Sequence, residues 1–150
     1  MRAVLLSFVL LMGFAVHPAA APLPVTTISI DTGKGKAVFK VEVAGDNASQ
    51  EKGMMFRKKL APDAGMLFDF HTTVMTSFWM KNTLLPLDII FIRSDGTISS
   101  IAGNAVPLSE APIPSSEPIR AVLEINGGKA KALGIMPGDK VRGAIFPAGR

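Results

Sequence analysis

Hydrophobic and polar positions alternate with period two along much of the chain. From Thr26 to Ile30, Ile28 and Ile30 fall on one face. The run Asp31-Thr32-Gly33-Lys34-Gly35 then reads as a turn. From Lys36 to Val43, Ala37, Phe39, Val41 and Val43 share one face and Lys36, Lys40 and Glu42 the other. Two such runs around a Gly-containing turn predict an antiparallel hairpin with one solvated face. Asp46 or Asn47 is placed to cap a short helix through Gln50 and Glu51, with Gly53 at its end. Arg57 to Leu60 reads as a turn closed by Pro62-Asp63. The run GMLFDF, Gly65 to Phe70, returns as a strand.

The second half has a different texture. Ile89-Ile90-Phe91-Ile92 does not alternate, so Asp88 to Arg93 is expected to be a strand buried on both faces. Ser94-Asp95-Gly96 suits a hairpin turn, with Thr97 to Val106 as the partner strand. Pro107 to Pro118 holds four prolines and three serines, which predicts a loop or strap over the surface. Ile119 to Ile125 alternates again. Asn126-Gly127-Gly128 turns into a short helix from Lys129 to Leu133, stopped by Gly134. Pro137-Gly138-Asp139 leads into a last strand from Val141 to Phe146. About seven short strands and two small helices, joined by Gly and Pro turns, predict a mainly β domain. The expected architecture is a closed or half-closed barrel. The phrase LGIMPGDKV (Leu133 to Val141) resembles an element of cradle-loop and double-psi barrels, an analogy at the level of fold.

The N-terminal residues stand outside this pattern. Met1-Arg2 is positive, Ala3 to Val16 is apolar, and Ala19-Ala20-Ala21 offers a small-residue cleavage site. That is the layout of a secretory signal, and the apolar run is too short to span a bilayer, which takes about 20 residues. The expected organisation is a cleaved segment at 1–21, an N-terminal strand and turn at 22–35, and a single domain at 36–150. The expected location is periplasmic or secreted. The chain has no cysteine, so an exported form would be held by packing alone, without disulfides or thiol chemistry. Loss of Arg2 takes the 16 basic residues to 15 against 12 acidic, a net +3. Arg57-Lys58-Lys59 is the one basic run. A single triplet is a solvated turn more readily than a nucleic-acid footprint, which needs a stripe of charge. No stable membrane insertion is expected after signal removal.

Candidate chemistry concentrates in FWMKNTLLPLDIIFI, Phe78 to Ile92. Trp79 is the only tryptophan. Its average burial favours a core anchor with the indole N–H tied to a carbonyl. A partly exposed indole beside Lys81 and Asn82 would instead stack on a ligand. Alternation puts Phe78 and Met80 on one face and Trp79 and Lys81 on the other. Lys81 offers a cation, and Asn82 and Thr83 offer amide and hydroxyl groups. Turn chemistry before Pro86 is the alternative for Asn82 and Thr83, and it explains Asn82 more simply. Asp88 precedes four apolar residues, and a buried carboxylate needs partners. Lys81, Arg57 or the amides of the Asn82–Leu85 bend are the expected ones. Glu124, between Leu123 and Ile125, is expected to face outward. It could complete a polar rim with Asn126, although a solvated strand position explains it more simply.

Metal chemistry has little support. His71 is the one histidine beyond the N-terminal segment, and a zinc site needs several His or Cys ligands. Met54, Met55, Met66, Met75, Met80 and Met136 would suit copper(I), but gap-filling in a core explains them more simply. No metal and no cofactor is expected.

The runs GMMFRKKL (Gly53 to Leu60), GMLFDF, FWMKNTLLPLDIIFI, VLEINGG (Val122 to Gly128) and LGIMPGDKV occur in this order. Together they resemble the bacterial and archaeal family called domain of unknown function 192, over about Lys36 to Phe146. The resemblance implies a small, mostly β domain, often exported, with no established activity or cofactor, and it marks the FWMKNT segment as characteristic.

These readings lead to a non-enzymatic, exported binding module for a small polar or anionic ligand or a peptide segment. Its site residues would be Arg57, Trp79, Lys81, Asn82, Thr83, Asp88, Glu124 and Asn126. Two rivals remain: an acid–base hydrolase or lyase using Asp88 and Lys81, and an interaction protein using the Pro107–Pro118 strap.

Overall fold

The computed structural model describes residues 21–143 and 145–146. The signal-like run and most of its cleavage site, residues 1–20, lie outside them. Nine strands and two short helices follow one another as β1 (Val25–Thr32), β2 (Gly35–Ala44), α1 (Asn47–Lys52), β3 (Ala64–Val74), β4 (Ser77–Phe78), β5 (Leu87–Ile92), β6 (Ile98–Ala105), β7 (Ile113–Pro114), β8 (Ile119–Asn126), α2 (Lys129–Leu133) and β9 (Lys140–Arg142). Seven strands form one sheet in the order β6-β5-β8-β3-β2-β1-β9, while β4 and β7 make a separate ribbon.

The sheet curls into a half-barrel whose edges meet at one end. Lys140 of β9 bridges to Thr97, just before β6. The Ile98 N–H donates to the Asp139 carbonyl at 2.9 Å, and the Val141 N–H to the Gly96 carbonyl at 2.8 Å. The expected mainly β, half-closed barrel with two short helices is therefore what the chain forms. The expected β1–β2 hairpin forms, with Ile28 opposite Phe39 and Ile30 opposite Ala37, and its strands pair up to Thr32 and Gly35, inside the expected turn. Pairing of β2 with β3 is parallel, Val41 opposite Gly65, and the connection between them carries α1.

Two apolar cores lie on opposite faces of the central strands. The inner one gathers Ile28, Phe39, Val41, Leu67, Ile90, Leu123, Ile125 and Val141. The outer one gathers Met54, Met66, Phe68, Met80, Leu87, Ile89, Phe91 and Val122. This explains why Ile89 to Ile92 does not alternate: every residue of β5 is buried. The outer core is covered by the chain from α1 to Leu60, the Phe78–Leu85 segment and Ile113 of the strap.

The strap and the last strand differ from expectation, and β3 runs on to Val74 rather than ending at Phe70. The Pro107–Pro118 strap contains β7, which pairs with β4, Phe78 opposite Ile113. Two-residue strands carry too little periodicity to show in a sequence. The last strand stops at Arg142 rather than reaching Phe146. Gly143 has a left-handed φ of 89° and turns the chain back, so Phe146 bridges to Gly143 itself.

Candidate functional site

Asp46 caps α1, accepting the Ser49 N–H at 2.8 Å, and Gly53 ends the helix with a positive φ of 46°. A Cβ at Gly53 would stand 3.2 Å from the Phe68 ring, so glycine lets the chain turn tightly over that aromatic. The turn carries Met54 into the outer core and Met55 alongside it. Between this segment, β3 and the Ser77–Thr83 stretch opens a cleft of about 520 Å³. Its walls include Met55, Phe70, Phe78 and Trp79, with Thr83 and Glu124 among its polar lining.

Trp79 is exposed, with 48% of its surface accessible. The core-anchor reading does not hold: the indole stands at the rim, and Met80, its neighbour on the opposite face, is fully buried. Lys81 Nζ lies 5.1 Å from the centroid of the indole, a cation–π contact. The alternation expected from Phe78 to Lys81 is therefore observed.

Glu124 lies on the outer face of β8, opposite Met66 of β3 and Ile89 of β5. Its expected orientation, away from Leu123 and Ile125, is correct. Its expected environment is not, because the outer face is itself covered. Only 4% of the residue is accessible, and Oε2 has no hydrogen-bond partner among the described residues. Burial pushes the Glu124 carboxyl up to about 8, with the charge of Arg57 opposing that rise. At neutral pH the group is mostly a neutral acid. Glu124 is among the residues that line the cleft, with Oε2 itself shielded from solvent.

The other expected site residues divide. Thr83 lines the cleft, but its hydroxyl also donates to the Lys81 carbonyl at 3.2 Å. Asn82 sits at φ 55°, a left-handed turn position that asparagine tolerates. Arg57 is ion-paired with Glu42, its Nη1 3.1 Å from Oε1, and lines a neighbouring depression with Val25 and Lys40. Asn126 donates to the Ala61 carbonyl at 2.9 Å and so ties down the loop before β3.

Asp88 takes none of the expected partners. Oδ1 accepts the N–H groups of Asn104 at 2.7 Å and Gly128 at 2.8 Å, and Oδ2 accepts that of Ala130 at 2.7 Å. It thus satisfies an amide freed by the β5–β6 register shift and caps α2 from another strand, since Gly128 has no side chain to do so. It faces a different depression, lined by Gly103, Ala130 and Ile135. Lys81 and Asp88 therefore line no common cleft.

His71 Nε2 lies 2.8 Å from the Gly45 carbonyl, and Nδ1 is 3.4 Å from Asp69 Oδ2. Asp69 also meets Arg120. Among the described residues no group of three His, Cys, Asp or Glu side chains is placed to hold a metal ion.

Comparison with known proteins adds a family and a fold. The family model DUF192, described as uncharacterized, matches residues 28–143. A solved structure from Sinorhizobium meliloti 1021, described as that of a proposed transcription regulator, is 47% identical with a TM-score of 0.82. The match covers 85% of this chain and 100% of that one. A protein of unknown function from Novosphingobium aromaticivorans DSM 12444 is also 47% identical, with a TM-score of 0.80, over 86% of this chain and 91% of that one. No curated protein matches the chain.

Proposed function

The chain belongs to the uncharacterized DUF192 family, and from that premise we propose that it is an exported, non-enzymatic binding module whose ligand enters the Trp79–Glu124 cleft. One observation carries the reading. A carboxyl group is buried at the cleft with an oxygen that nothing in the described fold satisfies. A buried orphan of this kind costs about 1–3 kcal/mol, a cost that a ligand group can remove. The ligand would have an apolar or planar body, to lie against Phe70, Phe78, Met55 and the indole, and a hydrogen-bond acceptor to meet the neutral Glu124 acid. A carboxylate, an amide or a peptide carbonyl fits, and Lys52 on α1 and Lys81 beside the indole supply positive charge for an anionic version. This keeps the small polar or anionic ligand, or peptide, expected from the sequence.

The enzymatic rival is not favoured. The Asp88 carboxylate is committed to three backbone amides. Among the described residues Oε2 of Glu124 has no base or nucleophile hydrogen-bonded to it, so they assemble no proton-transfer pair there. Nor is a nucleic-acid role favoured, since Arg57 of the single basic triplet is engaged with Glu42.

Trp79 supplies the readout, because the chain has one Trp and no Tyr. Aromatic carboxylates, acylated amino acids, cell-wall fragments and short peptides should be screened by indole emission. A positive ligand should bind Glu124→Leu at least tenfold more weakly than wild type, and Glu124→Gln, which keeps a donor, by less. Silence across all these classes, or a Glu124→Leu variant that binds as tightly as wild type, would rule the reading out.

A further inference from the structure

We propose that the loops gathered around Asn82 form a docking surface for anionic lipid membranes, adjoining the ligand cleft and sharing Trp79 and Lys81 with its rim. Three chain segments meet there. The Phe56 N–H donates to the Asn82 carbonyl at 2.8 Å, the Leu108 N–H to the Thr83 carbonyl at 3.1 Å, and the Met80 N–H to the Ser109 carbonyl at 2.9 Å. These bonds bring large apolar side chains to one region and leave them in solvent. Phe56 is 64% exposed and Leu108 60%, with Trp79, Leu84 and Val106 also exposed.

The backbone is strained to achieve this. Phe56 has a φ of 64° and Leu108 a φ of 63°. Bulky residues rarely adopt such angles, at a cost on the order of 1 kcal/mol each, and such strain collects at functional sites. Glycine would hold either turn with less strain. Two turns that display a phenylalanine and a leucine to water, on strained backbone, are explained by something that receives those side chains.

Charge selects the receiver. Phe56 is followed directly by Arg57-Lys58-Lys59, with Lys58 and Lys59 exposed, and Asn82 is preceded by Lys81. Arg57 is neutralised by Glu42, which leaves three lysines. The exposed acids of these loops are Glu110, two residues beyond Leu108, and Asp63, four residues beyond Lys59, so the lysines outnumber them. A cluster of Phe, Trp and Leu flanked by lysines matches the interfacial zone of a bilayer, where aromatic rings sit at headgroup depth and ammonium groups meet anionic lipid. No helix among the described residues is long and apolar enough to cross a membrane. The docking proposed here is peripheral, made by loop side chains at the interface.

The test uses residues 22–150, which hold all nine strands and both helices. Vesicles of phosphatidylglycerol with phosphatidylethanolamine should sediment the protein and shift the Trp79 emission to the blue. Vesicles of phosphatidylcholine alone should do so far more weakly, and added salt should weaken the anionic case. Phe56→Ser and Leu108→Ser should each lower partitioning by about tenfold, the loss of one buried apolar side chain. Lys58→Gln and Lys59→Gln should lower it by about fivefold each on anionic vesicles only. Phe56→Gly serves as the folding control, since it relieves the strained turn and should melt no lower than wild type while still losing binding. Equal affinity for both lipids, absence of binding to either, or unchanged partitioning of Phe56→Ser would overturn the proposal. A dimer in lipid-free solution that Phe56→Ser dissociates would overturn it too, by identifying a second copy as the occupant.

Discussion

Asp88 and Ala130 stand 42 residues apart in the chain, yet the Ala130 N–H donates to Asp88 Oδ2 at 2.7 Å. That bond, with those from Asn104 and Gly128, joins β5 to the β6 bulge and to the start of α2. The acid of the FWMKNTLLPLDIIFI run is thereby a structural cap.

Asp88→Ala should destabilise the domain by about 3 kcal/mol, because it strands three buried or half-buried donors. Asp88→Asn should cost less, since its carbonyl oxygen still accepts while its amide opposes one N–H. Urea unfolding of both variants measures the difference. An Asp88→Ala variant as stable as wild type would show that water replaces the carboxylate.

Glu124 should make stability fall as pH rises. Below its unfolded value, near 4.5, the carboxyl is neutral in both states. Between 4.5 and about 8 the unfolded chain releases the proton and the folded chain keeps it, so the folded state loses ground with each pH step. Above about 8 both states are ionised and the dependence ends. The accumulated loss is on the order of several kcal/mol. Glu124→Gln should remove this slope and be more stable than wild type at pH 8. Unfolding free energies of the two proteins from pH 5 to 9 provide the check, and parallel curves would mean that the buried carboxyl is solvated.

Lys81→Ala should leave folding stability within about 0.5 kcal/mol, as an exposed cation–π contact contributes little. It should nonetheless change Trp79 emission, since the ammonium lies 5.1 Å from the ring. It should also weaken an anionic ligand of the cleft by about 1–3 kcal/mol. A loss of stability as large as that of Asp88→Ala would recast Lys81 as part of the framework.

Expression in a bacterium with a secretion pathway should yield an exported protein lacking about the first 20 residues, read by intact mass. Full-length protein in the soluble exterior fraction would contradict the expected signal.

Much of this protein was determined by its sequence alone. Period-two alternation located the β1–β2 hairpin, and Asp46 with Gly53, and Gly128 with Gly134, bounded the two helices, because these signals act between residues close in the chain. The unbroken apolar run after Asp88 identified a strand covered on both faces. The five family motifs gave the same mainly β domain. Tertiary structure decided the chemistry. Glu124 alternates like a surface residue, and only the second core laid over the outer face by Met54, Phe68 and Met80 turns it into a buried acid. Asp88 required partners, but the amides that satisfy it come from Asn104, Gly128 and Ala130, remote in sequence and assembled by the register shift and the start of α2. Trp79 read more readily as a core anchor, and only the β4–β7 ribbon, which orients Phe78 inward, leaves the indole outside. Local pattern reports which side of a strand a residue occupies. What covers that side depends on contacts between distant segments, and there burial and hydrogen bonding settle the charge and exposure of each group.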